Sequence, residues 1–175
     1  MRTFVLGGAR SGKSSLAARW AAERSHDVCC IVTATASDAE MAARIDLHRR
    51  ERPQHWRVRE EPRQLGSALR AESHDGNLVL IDCLTLWTAN CLWPPTSPTE
   101  ADIAGWHTER DAFLASLRAT AGEVVIVSNE VGTSLVPENA AARLFRDEQG
   151  RVNQLVAATC DAVFLVTAGL PLRLK

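Results

Sequence analysis

Apolar residues along this chain of 175 residues come in short unbroken runs and not in strict alternation with polar ones. The runs at 3–6, 28–33, 78–82, 124–128 and 163–168 are rich in Val, Ile and Leu, the pattern of strands buried on both faces. The intervals between them carry helical patterns. Residues 15–24, dense in good helix formers, predict a helix directly after the first strand. Ser37, Asp38 and Glu40 predict a helix start, a capping residue followed by acidic groups, with the helix running to about Arg50 ahead of Pro53. Pro62 opens a short helix, residues 101–120 form a longer one, and Pro137 opens a helical region that reaches Thr159 with a break near Gly150. The proline-rich stretch 93–98 is a surface connection between helices. Residues 56–60 add a strand near a sheet edge, and 170–174 form a terminal hairpin with the preceding strand. This alternation predicts one α/β domain over 1–175, a mainly parallel sheet covered by helices on both faces.

Charge narrows the function classes. Lys and Arg number 20 against 21 Asp and Glu, a net charge of −1, so no broad basic field argues for nucleic acid or an anionic membrane. No apolar run approaches the ~20 residues that cross a bilayer, and the first residues enter a strand and not a cleavable leader, which predicts a cytoplasmic protein. The five cysteines are an odd count without a C-x-x-C pair, which reads as small buried hydrophobes kept reduced.

The chemistry begins at Gly7-Gly8-Ala9-Arg10-Ser11-Gly12-Lys13-Ser14. Gly, four residues, then Gly-Lys-Ser, placed between a strand and a helix, is the phosphate-binding loop of nucleoside triphosphate enzymes. Its glycines let consecutive N–H groups turn toward phosphate oxygens, and the next helix, from Ser15, presents its positive dipole end to the same anion. Lys13 would span the β- and γ-phosphates, with the Ser14 hydroxyl on Mg²⁺. The strand at 78–82 ends in Asp82, which suits the same Mg²⁺ or a helix cap. The expected fold is accordingly a P-loop NTPase of the RecA-like kind.

Met41, Ile45 and His48 share one helical row at i, i+4, i+7. An imidazole in that row suits acid, base or nucleophilic chemistry, and equally a satisfied core position. Arg44, Arg49, Arg50 and Arg52 around it suit triphosphate charge or a solvated helix end.

Several segments in this order resemble one family. They are the loop at 7–14, Asp-Ala-Glu-Met-Ala-Ala-Arg-Ile at 38–45 with His48 three residues on, Arg52-Pro53-Gln54-His55-Trp56, Asn129-Glu130-Val131-Gly132, Val136-Pro137-Glu138-Asn139, and Phe145-Arg146-Asp147 with Gly150-Arg151-Val152-Asn153-Gln154. Together they resemble the bifunctional adenosylcobinamide kinase/adenosylcobinamide-phosphate guanylyltransferase family over the whole chain. Asp82 stands where Glu is also found, and the segment 91–99 is abbreviated. The resemblance implies that His48 is guanylylated, and that ATP or GTP phosphorylates adenosylcobinamide before GMP from GTP passes through His48 to adenosylcobinamide phosphate. It also implies nucleotide contacts from Thr33, Ala34, Thr35, Arg49, Arg50, Glu51, Arg52, Glu60 and Asp82, and a homotrimer. Glu130 suits the acceptor hydroxyl or a structural hydrogen bond. Asp147, Arg151 and Asn153 suit a substrate or subunit contact. Of five Trp, Trp87 and Trp93 beside the helix after Asp82 suit a corrin face, an interface or core packing. The competing readings are a P-loop ATPase or GTPase switch and a small-molecule kinase without guanylyl transfer. The chain lacks the Asn-Lys-x-Asp signature of regulatory GTPases.

Overall fold

β-branched runs bury both faces only when their strands pair edge to edge between helical layers. The computed structural model describes residues 1–35 and 39–175, and the side chains of these except residues 44, 47, 48 and 51. Its elements run β1 (Arg2–Gly7), α1 (Lys13–Arg24), β2 (Val28–Val32), α2 (Ala39–Glu51), β3 (Arg57–Glu60), α3 (Leu65–Glu72), β4 (Leu78–Asp82), α4 (Leu84–Leu92), α5 (Ile103–Ala119), β5 (Glu123–Asn129), α6 (Ala140–Thr159), β6 (Ala162–Thr167) and β7 (Leu170–Arg173). Among the described residues the strands form one sheet in the order β3-β2-β4-β5-β1-β6-β7. All pairs are parallel except the closing β6–β7 hairpin. The strand expected near an edge is the edge strand β3, and the terminal hairpin pairs Phe164 with Arg173 through Thr167 with Leu170.

Successive strand residues point to opposite faces. Phe4, Ile31, Ile81 and Ile126 join a core with α3, α4, α5 and α6. Val5, Cys30, Leu80 and Val127 join a second core with Leu16, Ala17 and Ala21 of α1. The indoles of Trp87 and Trp106 meet edge to face at 4.9 Å in the first core, both fully buried. Their polar ends are satisfied: Trp87 Nε1 donates to the Arg63 carbonyl at 2.7 Å and Trp106 Nε1 to Glu148 Oε2 at 2.8 Å. Trp87 therefore packs inside α4, as the core alternative holds. All five cysteines are free and buried. Burial pushes the thiols of Cys29, Cys30, Cys91 and Cys160 up to about 12, which keeps them protonated at neutral pH.

The helices differ from the sequence reading at Pro62, Pro137 and Gly150. Pro62 precedes α3 by a short turn, because the Glu61 carboxylate takes the N–H groups of Arg63 and Gln64 and delays the first helical turn to Leu65. Pro137 likewise lies before α6, whose cap is Asn139: its Oδ1 accepts from Ala141 N at 2.8 Å and Ala142 N at 3.3 Å. Gly150 does not break α6, which is continuous from Ala140 to Thr159. Val152 and Val156 on its inner face are fully buried, and their packing outweighs the ~1 kcal/mol cost of an interior glycine. The capping assignment predicts that Asn139→Ala lowers stability by ~1 kcal/mol, a fall of about 2–4 °C in Tm by circular dichroism.

Candidate active site

The local sequence shapes the phosphate loop before any tertiary contact does. Arg10 and Gly12 adopt left-handed backbone, φ 56° and 91°, around Ser11, and such alternation turns consecutive N–H groups to one side as a nest for an anion. Lys13 opens α1 and folds back, Nζ donating to the Gly8 carbonyl at 3.0 Å. From behind, the turn between β6 and β7 closes on the loop: Gly169 N donates to the Ser11 carbonyl at 2.9 Å. A Cβ on Gly12 would stand 3.3 Å from Gly169 Cα.

β4 delivers the carboxylate. Ser14 Oγ donates to Asp82 Oδ1 at 3.5 Å, and Arg52 Nη2 lies 3.6 Å from Asp82 Oδ2. A hydroxyl and a carboxylate converging beside an anion nest are hard oxygen donors of the kind that would hold Mg²⁺. Arg52 balances the Asp82 charge meanwhile.

These groups open onto a cavity of about 810 Å³, within the range of small-molecule sites. Residues from Ala9 to Ser15 and Met41, Ala42 and Ile45 of α2 line it together. Val32, Val58 and Leu86 contribute apolar lining, suited to a nucleobase or ribose. Asp46, Arg49 and Glu60 form a charged rim, with Arg49 3.0 Å from Glu60 and 3.6 Å from Asp46. All three are more than half exposed, so these pairs contribute little and exchange readily for the charges of a ligand.

Of the residues singled out in the sequence, Ala9, Arg10, Ser11, Gly12, Lys13, Ser14, Ser15, Ala34, Thr35, Arg49, Arg52, Glu60 and Asp82 line this cavity. Gly7 ends β1 and Gly8 supplies the carbonyl that Lys13 holds. Thr33 does not line it: fully buried, its Oγ1 donates to the Cys83 carbonyl at 2.7 Å and accepts from Cys83 N at 3.0 Å, a clamp between the ends of β2 and β4. Arg50 is exposed on α2 outside the lining. The side chains of Arg44, His48 and Glu51 lie outside the described residues, as do Ser37 and Asp38 with their expected cap.

Glu130 Oε1 accepts from Gly132 N at 2.7 Å, the structural alternative for that residue. Asp147 is exposed, and Arg151 pairs with the buried Glu148. Burial opposes the charged form of Glu148, but the donors Trp106 and Arg151 prevail and hold its carboxyl below the usual range. Asn153 is buried beneath the end of β5. The sequence reading gave no role to Val58, Pro62, Leu86 or Asn129, which also line the cavity. For Asn129 a signal exists, a polar residue closing an apolar strand, the same signal that marked Asp82.

The family model for cobinamide kinase / cobinamide phosphate guanyltransferase matches residues 3–174. The chain belongs to this family. The bifunctional adenosylcobalamin biosynthesis protein CobP of Pseudomonas aeruginosa is 46% identical over 175 residues, covering 100% of this chain and 98% of that protein. The bifunctional adenosylcobalamin biosynthesis proteins CobU of Escherichia coli and Salmonella typhimurium are each 38% identical over 182 residues, covering both partners completely. Among solved structures, a type III secretion system ATPase of pathogenic bacteria matches with TM-score 0.54 at 14% identity, over 98% of this chain and 56% of that one. The RadB recombinase matches with TM-score 0.51 at 14% identity, over 94% of this chain and 73% of its own. At that identity the likeness is one of fold, the RecA-like P-loop NTPase. The kinase / guanyltransferase is thus a bifunctional enzyme of adenosylcobalamin biosynthesis on that fold.

Proposed function

We propose that the protein phosphorylates adenosylcobinamide with ATP or GTP and then, through a covalent GMP on His48, converts adenosylcobinamide phosphate to adenosylcobinamide-GDP. The observation that carries this reading is one cavity lined both by the phosphate loop and by the Met41–Ile45 row of α2. His48 continues that row in sequence, so a triphosphate lying across the cavity would direct its terminal phosphate at the loop and its α-phosphate toward α2.

In the kinase step the loop amides and Lys13 hold the triphosphate, and the acceptor hydroxyl attacks the γ-phosphorus. In the second reaction a neutral His48 nitrogen forms a bond to the α-phosphorus of GTP and pyrophosphate leaves with the bonding pair. The phosphate ester of the substrate then attacks the same phosphorus and releases the imidazole. Mg²⁺, which Ser14 and Asp82 would hold, supplies charge neutralisation to both reactions. Arg49 and Arg52, which both line the cavity, would orient the remaining phosphate oxygens, each as a fork of donors.

A homotrimer in the cytoplasm completes the proposal. It is supported by Leu170, Leu172 and Leu174 along the β7 edge, which are 73%, 61% and 56% exposed and form an apolar strip that a second copy would cover. Among the described residues no helix is long and apolar enough to cross a membrane.

The test uses GTP labelled at the α-phosphate, without acceptor. The expected result is labelled GMP on the protein, broken by acid and stable to alkali as a phosphoramidate is. A protein that phosphorylates adenosylcobinamide yet takes up no label would leave the plain kinase as the correct reading.

A further inference from the structure

β5 lies between the phosphate-loop strand β1 and the Asp82 strand β4, and its last residue, Asn129, stands beside Gly7 in the β1–β5 register. Val125 and Val127 pack into the core under α1, so by alternation Asn129 presents its side chain on that same face, where it lines the cavity.

The backbone at this point is held from two sides. Asn129 N donates to Thr85 Oγ1 at 2.8 Å, and its carbonyl accepts from Asn153 Nδ2 at 3.1 Å. Asn153 Oδ1 in turn accepts from Ser128 Oγ at 2.8 Å and Gln149 Nε2 at 2.9 Å, in a network whose members are at most 6% exposed. These bonds hold the Asn129 backbone in place at the end of β5. The Asn129 carboxamide, by contrast, makes no hydrogen bond to any of the described residues. Asn129 is part-exposed where it lines the cavity, so its amide donors are available to a ligand there.

We infer that Asn129 is a catalytic residue of the kinase step, its Nδ2–H donating to an oxygen of the γ-phosphoryl group during transfer. The inference rests on the reading that the phosphate loop holds the triphosphate. With the β-phosphate in the nest and Lys13 across β and γ, the γ-phosphate projects past the end of β1, beside Asn129. There the acceptor oxygen forms a bond to the γ-phosphorus, and the bond to the β,γ-bridging oxygen breaks. The nucleoside diphosphate leaves with the bonding pair, and the hydroxyl proton ends in solvent, since a carboxamide is no base. Asn129 meets charge as it redistributes over the γ-oxygens. In guanylyl transfer the bonds change at the α-phosphorus, and the γ-phosphate stays within pyrophosphate. Asn129 therefore favours the first reaction over the second.

Asn129→Ala and the isosteric Asn129→Asp separate the outcomes, with thermal melts to verify folding. The expected kinase kcat falls about 100-fold in both, the magnitude typical of one lost donor to a transition state, with the nucleotide KM within about 3-fold. The rate of GMP adduct formation from α-labelled GTP falls by less than about 5-fold. Equal losses in both reactions, or a kinase kcat within about 3-fold of the unaltered protein in either folded variant, would overturn the assignment. Absence of the adduct in the unaltered protein would overturn the covalent relay instead, leaving the kinase kcat and KM to decide Asn129.

Discussion

Lys13→Ala is expected to lower kinase and guanylyl transfer together, each by about 10²–10⁴-fold, through loss of a charge partner to the polyphosphate. Lys13 is only 8% exposed at the first turn of α1, its Nζ held 3.0 Å from the Gly8 carbonyl. The ammonium is thus already in the loop, where phosphate oxygens can take the place of the Gly8 carbonyl. Alanine suits the start of a helix and leaves the Gly12 and Arg10 conformations untouched, so the variant should fold. Steady-state assays of both reactions on a variant with an unchanged melting transition provide the check. Full kinase activity there would overturn the reading that one cradle serves both reactions.

The second large effect is selective. His48→Asn removes the ring nucleophile and keeps a polar side chain of moderate size. Guanylyl transfer is expected to vanish together with the labelled adduct, while the kinase step persists at least in part because the substrate hydroxyl attacks by itself. The opposed patterns of Lys13→Ala and His48→Asn would divide the cavity into a shared phosphate wall and a relay wall. Labelled GMP on a folded His48→Asn protein, at His55 for example, would return His48 to the role of a packing residue.

The parts of this molecule that were legible in sequence are those whose signal is local. The runs that became β1, β2, β4, β5 and β6 carry their own evidence of double burial, and the phosphate loop combines glycine conformations with a lysine and a hydroxyl in a few residues. What stayed hidden is assembled from distant segments. The apolar lining takes Val32 from β2, Val58 from β3 and Leu86 from α4, and only the strand order brings them together. Continuity of α6 past Gly150 depends on Val152 and Val156 finding a core, which no window of α6 alone contains. The Thr33 hydroxyl, engaged with the Cys83 backbone across β2 and β4, is a long-range contact that no local window contains. Asn129 ended its strand just as Asp82 did, but a neutral amide does not announce itself as a carboxylate beside a phosphate loop does.

The phosphate loop is written early in the sequence, yet β1 is flanked in the sheet by β5 and β6, and the loop leans on the turn at Gly169. Chains leave the ribosome from the N-terminus. A nascent chain therefore carries the whole nucleotide motif for most of its synthesis without the strands that seat it or the turn that braces it. The nucleotide site in its folded form is therefore complete only once β6 and β7, the last strands of the chain, have joined the sheet.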